Sequence, residues 1–166
     1  MLLDSHCHLD MYQKPEKLLE KSQKSDVFIV GVTLKPSHYK MGLPYIRRYK
    51  NIRFALGMHP LYIHEHTEIE LDIFNSLYDK TSYIGEIGLD FSKEGVKTKQ
   101  TQIKCFQKIL EKIYQQKKYI SLHSRKAEKE VLSMLKDYKI QKGIFHWYTG
   151  MKSLIPEIID EGHFFL

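Results

Sequence analysis

Cysteine is scarce in this chain of 166 residues: there are two, Cys7 and Cys105. That excludes a disulfide framework and a cysteine-built zinc finger. Cys105 falls in a helical pattern and reads as packing. Long apolar runs are missing too. None approaches the roughly 20 residues that cross a bilayer, so no membrane association is expected. No basic, apolar and small-residue succession of the secretory kind opens the sequence, and a cytoplasmic location is the expectation. There is no low-complexity segment, Gly/Ser linker or sequence repeat, so residues 1–166 are expected to form a single domain.

What remains is ordinary for a globular protein, with 42% hydrophobic and 28% charged residues. A net charge of +6 and a pI near 9.1 are compatible with a nucleic-acid partner. Charge alone carries little here, because Lys97, Lys99, Lys104, Lys108 and Lys112 read as a solvated helix face.

The pattern along the chain is a strand–helix alternation. β-branched and aromatic runs predict strands at Leu2–His6, Val27–Val32, Ile52–Gly57, Tyr83–Ile87, Tyr119–His123, Gly143–Trp147 and His163–Leu166. The clearest helix spans about Lys99–Lys117, with Ile103, Phe106, Ile109, Leu110 and Ile113 at helical spacing. Others centre on Ile69–Leu77, Ala127–Tyr138 and Leu154–Ile159, and Pro15–Lys24 opens with a proline allowed in a first turn. Gly42 and Pro44 are expected to interrupt the stretch Lys35–Lys50. Alternation of this kind implies parallel βαβ units, and hence a TIM-type (β/α) barrel. An eight-stranded barrel takes about 250 residues. Seven strands are present here, so the expectation is a barrel domain without its eighth strand, incomplete at its C-terminus.

Histidine and glutamate recur at the C-terminal ends of these runs, where such barrels build their active sites. His6 and His8 stand at i and i+2 on the first strand, facing one side, so both imidazoles can reach one metal. Cys7 faces the other way. His59 ends Arg-Phe-Ala-Leu-Gly-Met-His-Pro, His123 ends Tyr-Ile-Ser-Leu-His, and His146 follows Gly-Ile-Phe. Glu86 lies inside the apolar run Tyr-Ile-Gly-Glu-Ile-Gly-Leu-Asp. A carboxylate there is costly to bury unless it is paired or bound to a metal.

Taken in order, Asp-Ser-His-Cys-His-Leu-Asp, Gly-Met-His-Pro, Gly-Glu-Ile-Gly-Leu-Asp, His-Ser-Arg and His-Trp-Tyr-Thr-Gly resemble the TatD family of metal-dependent deoxyribonucleases, within the amidohydrolase-type TIM barrels. The resemblance covers essentially the whole chain. It implies one or two divalent ions (Mg²⁺, Mn²⁺ or Zn²⁺) at the barrel mouth. His6 and His8 would hold the first, Glu86 would bridge, and His123 and His146 would hold the second. His59 would touch the phosphate and share the catalytic role with Glu86. The implied activity is DNA phosphodiester hydrolysis, from single-stranded or free ends; service as the nuclease of an anti-phage system is a further implied setting. The family's last strand closes with Glu-Thr-Asp, whose Asp completes the first metal site, and this sequence has no counterpart to it.

For substrate contacts, the Arg125 guanidinium suits a phosphate. Trp147 and Tyr148 are both of a type that stacks on a base; core packing behind His146 is the expectation for Trp147, which leaves Tyr148 for the substrate. Asp4, Asp10 and Asp90 either orient ligand imidazoles or cap turns. His64 and His66 form a second His-x-His outside any strand and are expected to be solvent-exposed, as are His38 and His163. Two other functions compete. A small-molecule amidohydrolase or lactonase would use the same barrel, but many of those bridge their metals with a carbamylated lysine where Glu86 stands here. An interaction subunit of impaired activity would pair its open barrel edge with a protein partner or a second copy.

Overall fold

The computed structural model describes residues 2–65 and 67–166; the expectation for His66 lies outside them. The described chain alternates β1 (Leu2–His8), α1 (Pro15–Lys24), β2 (Val27–Val32), α2 (Pro36–Ile46), β3 (Ile52–Phe54), α3 (Glu68–Leu77), β4 (Tyr83–Gly88), α4 (Lys99–Ile113), β5 (Tyr119–His123), α5 (Glu128–Asp137), β6 (Gly143–Phe145), α6 (Ile155–Asp160) and β7 (Phe164–Phe165). All strand pairs are parallel, in the order β1-β2-β3 and β4-β5-β6-β7. One bridge, Leu56 to Ile84, joins the two groups, with Leu56 N–H donating to the Tyr83 carbonyl at 3.0 Å. This is the seven-stranded (β/α) barrel wall that the alternation predicts. β1 and β7 are its outer strands, and no pairing joins them among the described residues.

Two apolar layers hold the wall. Val30, Val32 and Ala55, with Tyr83 and Tyr119 packed against them, form the smaller. The Tyr83 and Tyr119 rings meet at a tilt with centroids 5.6 Å apart, and the Tyr119 hydroxyl donates to the Ser5 carbonyl at 2.6 Å, tying β5 to β1. The larger layer lies between strands and helices, where Ile29, Ile84, Ile87 and Leu122 meet Phe106, Ile109, Leu110 and Val131. Burial of one such side chain stabilises by about 1.5–3 kcal/mol.

Two strands break strict alternation, and both carry metal-ligand candidates. Ile84 and Ile87 both belong to the outer layer, although three residues apart, because the pairing of β4 with β5 shifts between them. β1 shifts likewise between Asp4 and Cys7. Such bulges re-aim a side chain. In β4 the extra residue turns Glu86 away from the helices.

The expected break at Gly42 and Pro44 does not occur, for α2 runs through both. Pro44 sits in the last turn, where little helix is left to lose. Gly42 faces the Phe54 ring so closely that a Cβ would press on it, so this glycine serves packing rather than termination. β6 is shorter than expected because the backbone turns into the left-handed region at Trp147, with φ 46°.

Candidate metal centre

Glu86 is 1% exposed at the end of β4. Its Oε2 lies 3.0 Å from His8 Nε2, 3.4 Å from His6 Nε2 and 3.4 Å from His59 Nε2. Its Oε1 lies 3.1 Å from His123 Nδ1. Burial pushes its pKa up, but contacts from His123, His59, His6 and His8 outweigh that and hold the carboxyl well below its usual range. It is therefore an anion ringed by imidazoles.

The spacing of the first group fits a cation. A tetrahedral ion with bonds of about 2.1 Å sets neighbouring ligand atoms about 3.4 Å apart. His6 Nε2, His8 Nε2 and Glu86 Oε2 are separated by 3.3, 3.0 and 3.4 Å. These three ligand atoms form one converging group, and those of His59, Glu86 and His123 form a second.

Neighbouring groups set which nitrogen of each ring is free. His6 Nδ1 lies 2.8 Å from the hydroxyl of Ser121, a fully buried residue on β5. His8 Nδ1 faces Asp10 Oδ1 at 3.8 Å. His123 Nε2 lies 2.7 Å from Asp90 Oδ2, with Asp90 itself fully buried. The contacts on His6 and His123 leave the other nitrogen for the centre, His123 in the manner of carboxylate–histidine–metal triads, while His8 Nδ1 lies beyond hydrogen-bond reach of Asp10. Without a metal, burial works against charge on His8 and His123, yet the adjacent carboxylates raise both to about 9.

His59 is wired differently. Its Nδ1 accepts the Leu61 backbone N–H at 3.2 Å. A neutral ring then carries its proton on Nε2, the atom facing Glu86. Burial holds its pKa below 6.5. His59 is thus set to donate a hydrogen bond into the cavity rather than to give a lone pair to a metal.

The converging groups differ from the expected ligand set in one member, since His59 stands where His146 was expected. His146 stacks on His6 with ring centroids 3.4 Å apart and an interplanar angle of 1°. Its Nδ1 is buried without a hydrogen-bond partner. Burial, reinforced by His6, lowers its pKa to about 4, so the ring stays neutral with a nitrogen to offer.

A cavity of about 480 Å³ opens on the centre, and Arg125 and Trp147 are among its lining residues. Arg125 is half-exposed and pairs with Glu94 at 3.3 Å. The expected placements of Trp147 and Tyr148 are exchanged. Trp147 is 79% exposed at the cavity, not packed behind His146. Tyr148 turns inward, its ring edge-on to Phe165 at 5.1 Å and its hydroxyl donating to the Met151 carbonyl. The left-handed backbone at Trp147 makes the exchange. It costs a non-glycine residue about 1–2 kcal/mol.

Of the other histidines, His64 is exposed as expected. His38 is not free, for its Nδ1 lies 2.7 Å from Asp10 Oδ2. His163 is 3% exposed and accepts the Gly143 N–H at 3.1 Å. His38 is thus held by a carboxylate, and His163 is held through Nδ1 while its Nε2 is buried without a hydrogen-bond partner. Asp4 accepts the His6 N–H, a local turn contact. Ser121 was not anticipated, although its i−2 spacing from His123 in Tyr-Ile-Ser-Leu-His puts both on one strand face.

A seven-stranded parallel barrel wall with a histidine–carboxylate centre at the C-terminal strand ends defines the class: a (β/α) barrel with a candidate metal centre at its mouth. Comparison with known proteins narrows this. Residues 3–165 match the family model described as TatD related DNase, and the chain belongs to that family. It is 30% identical over 168 residues to a Methanocaldococcus jannaschii protein described as an uncharacterized metal-dependent hydrolase, covering 97% of this chain and 65% of that one. It is 26% identical over 182 residues to human deoxyribonuclease TATDN3, covering 99% and 66% respectively. The crystal structure of YJJV, a TatD homolog from Escherichia coli, superposes with a TM-score of 0.87 at 21% identity, over 99% of this chain and 66% of that one. The chain thus spans about two thirds of the length of these relatives.

Proposed function

We propose that this protein is a divalent-metal-dependent deoxyribonuclease that hydrolyses DNA phosphodiester bonds from free or single-stranded ends. The observation that carries the reading is the shared carboxylate. Glu86 turns one oxygen to His6 and His8 and the other to His123 on the wall of an open cavity. A buried carboxylate so placed can hold two cations together and balance their charge.

His6, His8 and Glu86 would hold one ion; Glu86 and His123, with His146 offering its unpartnered nitrogen, would hold the other. Nitrogen-rich donors suit Zn²⁺ or Mn²⁺ better than Mg²⁺, which prefers oxygen. Bound ions would supply Lewis acidity, to activate water and offset the charge on the phosphate oxygens. The chain's own groups do the rest. Asp90 fixes the imidazole of His123, and Ser121 that of His6. His59 Nε2–H donates to a phosphate oxygen at the centre. Arg125 offers its guanidinium to a neighbouring phosphate.

The amidohydrolase or lactonase reading gains no support, because no lysine among the described residues lines the cavity. Glu86→Gln tests the proposal. It removes the charge while keeping the shape, so Mn²⁺- or Zn²⁺-dependent release of nucleotides from a single-stranded oligomer should fall at least about 100-fold. Parent and variant activities that match would refute the mechanism.

A further inference from the structure

We propose that Trp147 is a stacking platform for the unpaired base beside the scissile phosphate, and that it makes the site select single-stranded ends over paired DNA. The inference rests on the deoxyribonuclease reading and names the feature of the substrate that the site recognises.

Three observations converge on this residue. The first is exposure. Trp147 is the most exposed large hydrophobic side chain described, at 79%. Single exposed apolar residues need no explanation on their own. This one, however, lines the cavity of the metal centre together with Arg125. The second is backbone conformation. Trp147 has φ 46°, a region that bulky residues rarely enter. Its N–H donates to the Leu166 carbonyl at 3.1 Å, and the His146 N–H donates to the Leu122 carbonyl at 3.1 Å, so the turn is pinned from both sides. Packing does not account for the side chain, since the indole is mostly in solvent. Strain retained without a packing return points to function. The third is position. The indole centroid lies 6.3 Å from that of His146, which stacks on His6 at 3.4 Å. The platform is one ring removed from the ligand cluster, within a nucleotide's reach of a phosphate held there.

The ligand follows from the chemistry. An indole face beside a cationic, phosphate-seeking centre suits a flat π-system attached to a phosphate. A base inside a duplex has both faces covered by its neighbours. Only an unpaired or terminal base can offer a face to Trp147. Selection for single strands then arises from one side chain, without reading sequence.

Trp147 is the only tryptophan in the chain, so its emission reports this position alone. The Zn²⁺-loaded chain is titrated with a phosphorothioate oligodeoxythymidylate of about eight nucleotides, with an abasic oligomer of the same length, and with a closed circular duplex, which has no terminal base. Binding is followed in parallel by anisotropy of labelled oligomers. The thymidylate oligomer should quench the emission, with a midpoint matching its anisotropy curve. The abasic oligomer should bind about 5- to 150-fold more weakly, the worth of one base–aromatic stack, without quenching. The duplex should leave the emission unchanged. Trp147→Gly should erase the preference for bases and Trp147→Phe should restore most of it. The glycine variant is safe for folding, because φ 46° suits glycine, and its melting temperature should not fall. On a cleavable oligomer, Trp147→Gly should raise KM more than it lowers kcat. Equal affinity of the parent chain for base-bearing and abasic oligomers would overturn the inference while leaving the deoxyribonuclease reading intact. Failure to bind either oligomer would overturn both.

Discussion

Asp90→Asn changes one atom and puts a specific conflict next to the centre. In the parent, Asp90 Oδ2 accepts the His123 Nε2–H at 2.7 Å and Oδ1 accepts the Ser92 N–H at 2.8 Å. Asparagine has one acceptor and one donor for two positions that both require an acceptor. If its NH₂ faces Ser92, two donors oppose each other in a fully buried place, at a cost of about 1–3 kcal/mol. If it faces His123, the imidazole must accept at Nε2 and move its proton to Nδ1, the atom 3.1 Å from Glu86 Oε1. A proton there blocks metal binding. Either outcome weakens the His123 site, and loss of such a supporting partner typically lowers metal affinity about 10- to 100-fold. That range is about 1.4–2.7 kcal/mol. Calorimetric titration of the metal-free chain with Zn²⁺ should resolve two classes of site, with the weaker binding confined to one. The group of His6, His8 and Glu86 does not touch Asp90 and should keep its affinity. Unchanged affinity at both sites would refute the tautomer argument. Equal weakening at both would show that Asp90 acts through the fold rather than through His123.

The metal-free chain should be most stable near pH 6.5. His8 and His123, raised to about 9, contribute stability that is complete below pH 6.5 and lost as pH rises through 9. His146, lowered to about 4, and the depressed His59 and His163 contribute stability that is lost as pH falls from 6.5 toward 4. Melting temperatures in EDTA across pH 4–10 check this, and a flat profile would contradict it. Gly57→Ala should abolish folding, because a Cβ there overlaps the backbone carbonyl of Thr33; circular dichroism of a well-folded variant would count against the close approach. The outer strands expose Leu2, Leu3, Phe164 and Leu166, and edges of this kind pair with other chains. The chain alone should therefore self-associate at micromolar concentration in size-exclusion chromatography with light scattering, and a monodisperse monomer would dispose of that idea.

The strand ladder was legible because its cues are local. β2 and β5 lie where their β-branched and aromatic runs predict. His6 and His8 meet because a two-residue spacing keeps them on one face. Glu86 is a different case. Strict alternation from Tyr83 would point it at the helices, and a register shift between Ile84 and Ile87 turns it inward. A bulge is a property of the pair of strands, so one strand's pattern does not encode it. His38 and His163 misled for a similar reason. Their partners, Asp10 and Gly143, lie 28 and 20 residues away. The exchange of Trp147 and Tyr148 depends on a positive φ at a residue that is not glycine, and size and polarity carry no sign of it.

The seam between the two strand groups gives the chain a property that no single strand has. His6 and His8 come from the group ending at β3, while Glu86, His123 and His146 come from the group beginning at β4. His59 sits on the segment that leads from one to the other. The group of His6, His8 and Glu86 therefore draws on both halves of the molecule and exists only in the joined barrel. If the chain is cut between β3 and β4 and the two pieces are mixed, the return of metal binding at that group reports their reassembly.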